Sequence, residues 1–280
     1  MKKLLLFGIG MFVTFFALGT LSWFLIDKPN KDVVKYSETY DPDKFNKIEV
    51  DSNNVSIHLK KGKRFKFKYQ GSIEPEISTK NGTFKLNDEE QKLKGRANFN
   101  PFDARHKHLT ITVPPKKLKE IDLSTATGEV VVDGASSKSL TIWNSGTGKL
   151  DLSHLNCDSA DIKGKRSALK LDDSHMKDTS LNIDAGEINV TNSLIQSGIV
   201  VINSGPLRLN KMHPDTSVKA SSKRGNIYYS YDRLPKSVKL KLSPENGKTY
   251  IKNEALRKRD DKYSKHILEF YTHDGDIKLY

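Results

Sequence analysis

The sequence predicts an all-β chain, a β-solenoid built from two-strand repeats of about twenty residues, following one N-terminal transmembrane helix. Three observations carry that expectation. An uncharged apolar stretch opens the chain, short apolar-x-apolar pairs return on a regular beat, and a glycine stands at a fixed place ahead of the second strand of nearly every unit.

Residues Leu4 to Ile26 contain no charge. That exceeds the roughly 20 apolar residues a helix needs to cross a bilayer core. Lys2 and Lys3 precede the stretch, Asp27 and Lys28 close it, and Trp23 stands near its outer end. Lysines ahead of the span hold that end in the cytoplasm, and an amphipathic ring suits the headgroup zone. The expected division is therefore a cytoplasmic stub at 1–3, an anchor at 4–26 and an extracellular remainder. A cleaved signal peptide is the competing reading, because Ala17-Leu18-Gly19 offers small residues at a usable spacing. Six further, largely apolar residues (Thr20 to Leu25) make the span too long for a typical signal core. Both readings export the rest of the chain.

Residues 27–44, with Lys, Asp, Tyr and Pro, read as a stalk, and 45–120 as an irregular β region capping the stack. Within that region Val55-x-Ile57-x-Leu59, Phe65-x-Phe67-x-Tyr69, Phe84-x-Leu86 and Leu109-x-Ile111-x-Val113 alternate as half-buried strands do. Asn81-Gly82 is a turn signal. The polar run from Asn87 to His108, with Pro101, reads as a loop.

The repeats occupy 121–280. First strands read Ile121-x-Leu123, Leu140-x-Ile142, Ala160-x-Ile162, Leu181-x-Ile183, Val200-x-Ile202, Val218-x-Ala220 and Val238-x-Leu240. Second strands read Val130-x-Val132, Leu150-x-Leu152, Leu169-x-Leu171, Ile188-x-Val190, Leu207-x-Leu209, Ile227-x-Tyr229 and Thr249-x-Ile251. Two residues before each second strand stands Gly128, Gly148, Ser167, Gly186, Gly205, Gly225 or Gly247. A last unit, Leu268-x-Phe270 with Gly275 before Ile277-x-Leu279, follows a charged insertion at 252–266. An ordinary antiparallel sandwich would explain the alternation but not the glycine register. A unit this small cannot bury its apolar face alone, so units must stack, first strands on first strands and second on second.

Composition agrees: hydrophobic residues make up 36% and charged residues 29%, which suits thin rungs with wide exposed faces. Cys157 is the only cysteine, so no intramolecular disulfide forms, and it reads as a buried apolar residue. With Lys2 and Lys3 set aside, the ectodomain carries a formal excess of about +11. Outside a cell that charge points to anionic lipid headgroups or wall polymers rather than to nucleic acid.

Gly128-Glu129-Val130, Gly186-Glu187-Ile188 and Gly275-Asp276-Ile277 show a glycine, an acid and an apolar-x-apolar pair on this beat. In this the chain resembles the bacterial adhesin-like domains with β-strand repeats known as toast-rack domains, over residues 45–280. The resemblance implies an envelope-associated protein tied to surface attachment or envelope stress. Ser167, Pro206 and the long last insertion depart from the pattern.

Any catalytic pair would stand in the outward columns, because equivalent positions on neighbouring rungs lie about 4.8 Å apart. Read in chain order, the first-strand column is Asp122, Thr141, Asp161, Asn182, Val201, Lys219, Lys239, Glu269. The second is Val131, Asp151, Lys170, Asn189, Arg208, Tyr228, Tyr250, Lys278. Neither holds the neighbouring carboxylates that glycoside cleavage needs. Asp172-Asp173-Ser174-His175 has triad residue types at a spacing that does not make a triad. His106, His108 and Asp103 lack a further metal ligand fixed by spacing. The expectation is a chain with no catalytic residue, metal or cofactor.

What remains is charge. Lys63, Arg64, Lys66 and Lys68 alternate with Phe65, Phe67 and Tyr69, which places cations on one strand face as possible contacts to an anionic surface. Lys116, Lys117 and Lys119, and Arg257-Lys258-Arg259, form two more clusters. The expected function is a non-enzymatic binding scaffold on the cell surface, held by the cytoplasmic membrane. Its alternative is an envelope-stress sensor, which with only Met1 to Lys3 inside would work through a membrane signalling partner. A polysaccharide-active enzyme is the remote third reading.

Overall fold

A computed structural model describes residues 2–22, 34–71, 74–88 and 107–280. Helix α1 spans Lys2–Ser22, and its window Leu5–Ser22 has a mean hydropathy of 2.0 with none of it buried. Trp23, Asp27 and Lys28, expected at the outer end of the anchor, lie outside the described residues, as do Pro101, Asp103 and His106.

Strands β1 (Val34–Tyr40), β2 (Lys47–Ser52), β3 (Val55–Lys61), β4 (Phe65–Gly71), β5 (Glu76–Ser78), β6 (Thr83–Asp88), β7 (Lys107–Val113), β8 (Leu118–Thr125) and β9 (Val130–Asp133) form the first part. Next come β10 (Ser136–Ser153), β11 (Asn156–Asp172), β12 (His175–Thr191), β13 (Leu194–Ser204), β14 (Leu207–Met212), β15 (Val218–Arg224) and β16 (Ile227–Tyr231). The chain ends with β17 (Lys239–Pro244), β18 (Thr249–Ile251), the short α2 (Glu254–Arg257), β19 (Ile267–Asp274) and β20 (Ile277–Leu279).

They stack as layers of two strands each, with like strands parallel from layer to layer. The first sheet runs β5-β6-β2-β8-β10-β11-β12-β13-β15-β19-β17. The second runs β1-β4-β7-β3-β9, continues through the far halves of β10, β11 and β12, and ends β14-β16-β20-β18. This is the two-sheet solenoid that the repeat predicts. Between the sheets, Ile142, Ile162, Leu181, Val200 and Phe270 stack in one inward column, each at most 1% exposed. Burying one such aliphatic side chain is worth about 1.5–3 kcal/mol.

The glycine register has a steric cause. A Cβ on Gly205 would run into the carbonyl of Gly186, one on Gly225 into that of Gly205, and one on Gly275 into that of Gly225. The column begins at Gly128, over the carbonyl of Val55, and ends at Gly247, over that of Gly275. Gly186 and Gly205 also hold φ of 137° and 132°, which side-chain-bearing residues resist. Polar side chains complete the corner: Asn144 Nδ2 donates to the Gly128 carbonyl at 3.0 Å, and Thr272 Oγ1 to that of Gly225 at 3.1 Å. At the opposite corner Gly134, His154, Asp173, Asn192 and Lys211 all take left-handed φ, between 45° and 73°. Ser174 and Ser193, which follow two of them, pass hydrogen bonds from layer to layer: Leu155 N to Ser174 Oγ, Ser174 N to Ser193 Oγ.

Four expectations are corrected. The unit Leu181-x-Ile183 does not sit level with Ala160-x-Ile162; Leu181 pairs with Ile162 and Ile183 with Gly164. Each first strand has three inward positions, and Thr179 and Gly198 fill the first of them in β12 and β13, so an apolar pair cannot tell which two it occupies. The order is also not sequential: β19 and β20 lie directly on β15 and β16, leaving β17 and β18 outermost. Finally, the region 45–120 is more regular than a cap. β2 with β3 and β6 with β7 are layers in their own right, and only β1, β4 and β5 pair antiparallel. The segment read as stalk contains β1.

Both ends are closed. At one, Phe67 stacks on Phe84 at 3.4 Å between ring centres, and Phe45 meets Tyr40 and Phe65 edge-on. Lys107 and Asp88, both buried, pair at 3.5 Å there. At the other end the 252–266 insertion folds over the last layer. Leu256 is fully buried, Asp260 accepts from the Leu240 amide at 2.9 Å, and Val238 donates to Arg259 at 3.0 Å. These bonds occupy an edge that would otherwise template pairing with another chain.

Replacing Ile183 with Asp puts an unpaired carboxyl into a core two side chains thick, at a cost of about 4 kcal/mol. Gly186→Val meets both the Ser167 carbonyl and the φ restriction, at about 3 kcal/mol. Chemical denaturation should show both losses, and the exposed Lys170→Ala should stay within about 0.5 kcal/mol of the parent.

Candidate functional site

The residues expected to meet an anionic surface lie on the second sheet, near its aromatic-filled end. Lys66 and Lys68 point outward from β4 because Phe65, Phe67 and Tyr69, alternating with them, fill the core. Lys63 and Arg64 sit in the β3–β4 turn, both exposed. Neighbouring strands add Lys35 from β1 and Lys60 from β3. Of the four residues singled out, only Arg64 has an acid nearby among the described residues, Asp41 at 3.9 Å with both side chains well exposed. Ser37 and Thr110 flank Lys68, while Thr39 and Thr112 flank Lys66; further across the sheet Asp133 stands opposite Lys60 and Glu129 lies 3.9 Å from His58. His108, part of the motif weighed for metal, meets His58 edge-on at 4.3 Å between ring centres. Burial pushes its pKa down, and the nearby His58 adds to that.

The other basic clusters are not brought to this face. Lys117 bonds Asp158 at 2.6 Å, which also takes Lys177 at 2.8 Å. Those two ammonium groups hold the Asp158 carboxyl at about 2. Lys116 reaches Asp43 at 3.7 Å and lies over the Phe65 ring. Arg257 and Arg259 belong to the insertion at the far end of the stack.

The outward columns differ from those read in chain order. On the first sheet the true neighbours are Glu49, Asp122, Thr141, Asp161, Ser180, Ile199, Lys219, Glu269 and Lys241. Glu49 therefore stands beside Asp122, a carboxylate pair that sequence reading missed because β2 joins the stack out of order. Lys85 holds Glu49 ionised at 2.5 Å, and Lys47 bonds Glu120 at 3.0 Å. Burial, with Glu120 and Glu49 adding to it, pushes the Asp122 carboxyl up. The acids lie along an open strand face. The Asp172–His175 cluster is not a triad: the Ser174 hydroxyl donates to the Asp172 carbonyl at 2.7 Å and accepts from the Leu155 amide. Among the described residues no group of three or more His, Cys, Asp or Glu is placed to hold a metal ion. Cys157 is buried against Ser137, and burial pushes its thiol pKa up.

A family model described as Toastrack DUF4097 matches residues 45–280. The chain belongs to that family. Solved structures share the toast-rack fold. One, described as a candidate adhesin from Bacteroides fragilis, is 18% identical with a TM-score of 0.52, over 90% of this chain and 99% of that one. Another, described as a candidate lipid-binding protein from Parabacteroides distasonis, is 13% identical with a TM-score of 0.55, over 90% and 98%. A candidate adhesin from the same organism is 10% identical with a TM-score of 0.54, over 89% and 98%. No curated protein matches the chain. The toast-rack chain is thus a repeat β-fold like those of bacterial adhesin-like surface proteins, with one apolar helix among the described residues long enough to span a membrane.

One ion pair at the left-handed corner gives a pH signature. His154 Nδ1 lies 2.7 Å from Asp133, with Asp173 at 4.0 Å on the other side. The bond to Asp133 raises the imidazole pKa, and the same bond lowers the Asp133 carboxyl. The His154 contribution is full below the ordinary imidazole pKa and lost as pH rises through its raised value. That of Asp133 is full above the ordinary carboxylate pKa and lost as pH falls through its depressed one. An NMR titration should place His154 above the ordinary histidine range, and Asp133→Asn should bring it down.

Proposed function

We propose that this toast-rack protein is a non-enzymatic scaffold, anchored in the cytoplasmic membrane by α1 with its β-stack outside the cell. On this reading the stack engages an anionic envelope surface, lipid headgroups or acidic wall polymer, through Lys63, Arg64, Lys66 and Lys68. The observation that carries it is the pairing of an apolar, wholly exposed helix with four cations of which, among the described residues, only Arg64 has an acid within 4 Å. Residues 23–33 between α1 and β1 span at most about 40 Å, which keeps that face within reach of the membrane holding the helix. Each cation near an acidic surface adds about 1 kcal/mol. Lys2 and Lys3 ahead of the span favour the inside orientation of the N-terminus.

Two measurements test this. Protease added to intact, wall-stripped cells should remove the stack, while the membrane fraction of untreated cells keeps the full-length chain. A soluble form beginning near Thr20 would instead support the signal-peptide reading. Binding to anionic liposomes or purified acidic wall polymer should fall steeply between 0.1 M and 1 M salt, as the screening length drops from about 10 Å to about 3 Å. Changing Lys63, Arg64, Lys66 and Lys68 together to Gln should weaken it, and changing Asp172 or His175 should not. Salt-insensitive binding, or a quadruple variant that binds like the parent, would contradict the proposal.

A further inference from the structure

A second surface, on the opposite sheet and toward the other end of the stack, has shape as well as charge. In one outward column of the first sheet, Val201 of β13, Ser221 of β15 and Tyr271 of β19 lie side by side. Serine is short, and its two neighbours stand two strand spacings apart, roughly 10 Å between backbones. The column therefore steps down at Ser221. The result is an open slot of about 360 Å³ lined by Val201, Asn203, Ser221, Lys223, Tyr271 and His273.

Its walls are braced from outside. The Tyr271 hydroxyl donates to Glu245 of the outermost layer, and His273 Nδ1 shares that carboxylate at 2.8 Å. Tyr271 nevertheless stays 44% exposed, so the brace fixes the ring without covering it. The acids around the slot are engaged: Glu245 as described, Asp184 by Asn203 Nδ2 at 3.1 Å, Asp274 by Asn246 at 3.1 Å. Lys223 is exposed and has no ion-pair partner among the described residues.

We propose that this slot binds one acidic sugar unit of a glycan, a pyranose ring bearing a carboxylate. The negative face of a tyrosine ring attracts the C–H-rich face of a pyranose, as it does the positive edge of another ring. Lys223 meets the carboxylate. The Ser221 hydroxyl and the side-chain carbonyl oxygen of Asn203 meet ring hydroxyls, while His273, held by Glu245 on one nitrogen and facing Asp274 at 3.9 Å with the other, shapes the wall. A few polar groups around an apolar wall is the general build of small-ligand sites. An open slot and a single ring give a Kd on the order of 1 mM for one unit.

The test uses the full chain in nanodiscs of neutral lipid, titrated with D-glucuronate, methyl β-D-glucoside and inorganic phosphate and followed by the NMR signals of the Tyr271 ring. Glucuronate should shift them saturably, methyl glucoside should bind at least tenfold more weakly, and phosphate should leave them unmoved. Ser221→Tyr fills the slot and should abolish glucuronate binding. Lys223→Gln, at an exposed position that folding does not depend on, should reduce glucuronate to the level of the glucoside. The quadruple Gln variant of Lys63, Arg64, Lys66 and Lys68 should bind glucuronate as the parent does, which separates this site from the lysine face. No saturable shift, equal binding of the glucoside, phosphate shifting the same signals, or glucuronate binding lost in the quadruple variant would each overturn the proposal.

Discussion

At one corner of every layer from Gly128 onward, the backbone of the next layer approaches too closely for most side chains. The rest of the stack depends on that approach. It sets the layers near the strand spacing of about 4.8 Å along both sheets at once. Inward side chains then fall into continuous columns, and the corner residues Thr125, Asn144 and Thr272 reach the carbonyls of the layer beside them. Ser167 is the exception inside the column; it stays buried, and it is Gly186 of the next layer that leaves room over its carbonyl.

This constraint explains what could be read from the chain and what could not. A steric rule acting once per layer leaves a glycine once per repeat, so the fold class and the two-sheet stacking were legible at Gly128, Gly148, Gly186, Gly205, Gly225, Gly247 and Gly275. The rule says nothing about which layer lies next to which. β19 therefore slipped unseen between β15 and β17, and β2 between β6 and β8. Every outward neighbour that depends on this order was hidden with it, including Glu49 beside Asp122 and Tyr271 beside Ser221. The slip at Leu181 has another source: Gly164 and Thr179 occupy inward positions without an apolar side chain to mark them. The outward direction of Lys66 and Lys68 was legible because it needs only one strand, β4, whose alternation is local.

Core and surface are thereby decoupled. Glycine corners and inward aliphatic columns hold the layers, and neither reaches solvent, so the outward positions are free to vary without loss of fold. In this chain they vary along the stack. Lys63, Lys66 and Lys68, with no ion-pair partner among the described residues, gather at the aromatic end of the second sheet, ion-paired acids gather opposite them on the first sheet, and the far layers carry tyrosines. Arg208, Tyr228, Lys278 and Tyr250 follow one another across neighbouring strands there, with cations 5.2–5.7 Å from ring centres. On the scaffold reading proposed above, such a surface would engage partners by distributed charge and by shallow relief.

Disulfide trapping reads the layer order directly. In a Cys157→Ser background, Tyr228→Cys with Lys278→Cys places two thiols on adjacent parallel strands, within the roughly 4.4–6.8 Å Cα separation that a disulfide spans. Tyr228→Cys with Tyr250→Cys places them one layer further apart, beyond that range. Mild oxidation should cross-link the first pair and leave the second reduced. Cross-linking of Tyr228→Cys to Tyr250→Cys in preference to Lys278→Cys would mean that the layers follow the order of the chain, and the architecture described for the far end of the stack would be wrong.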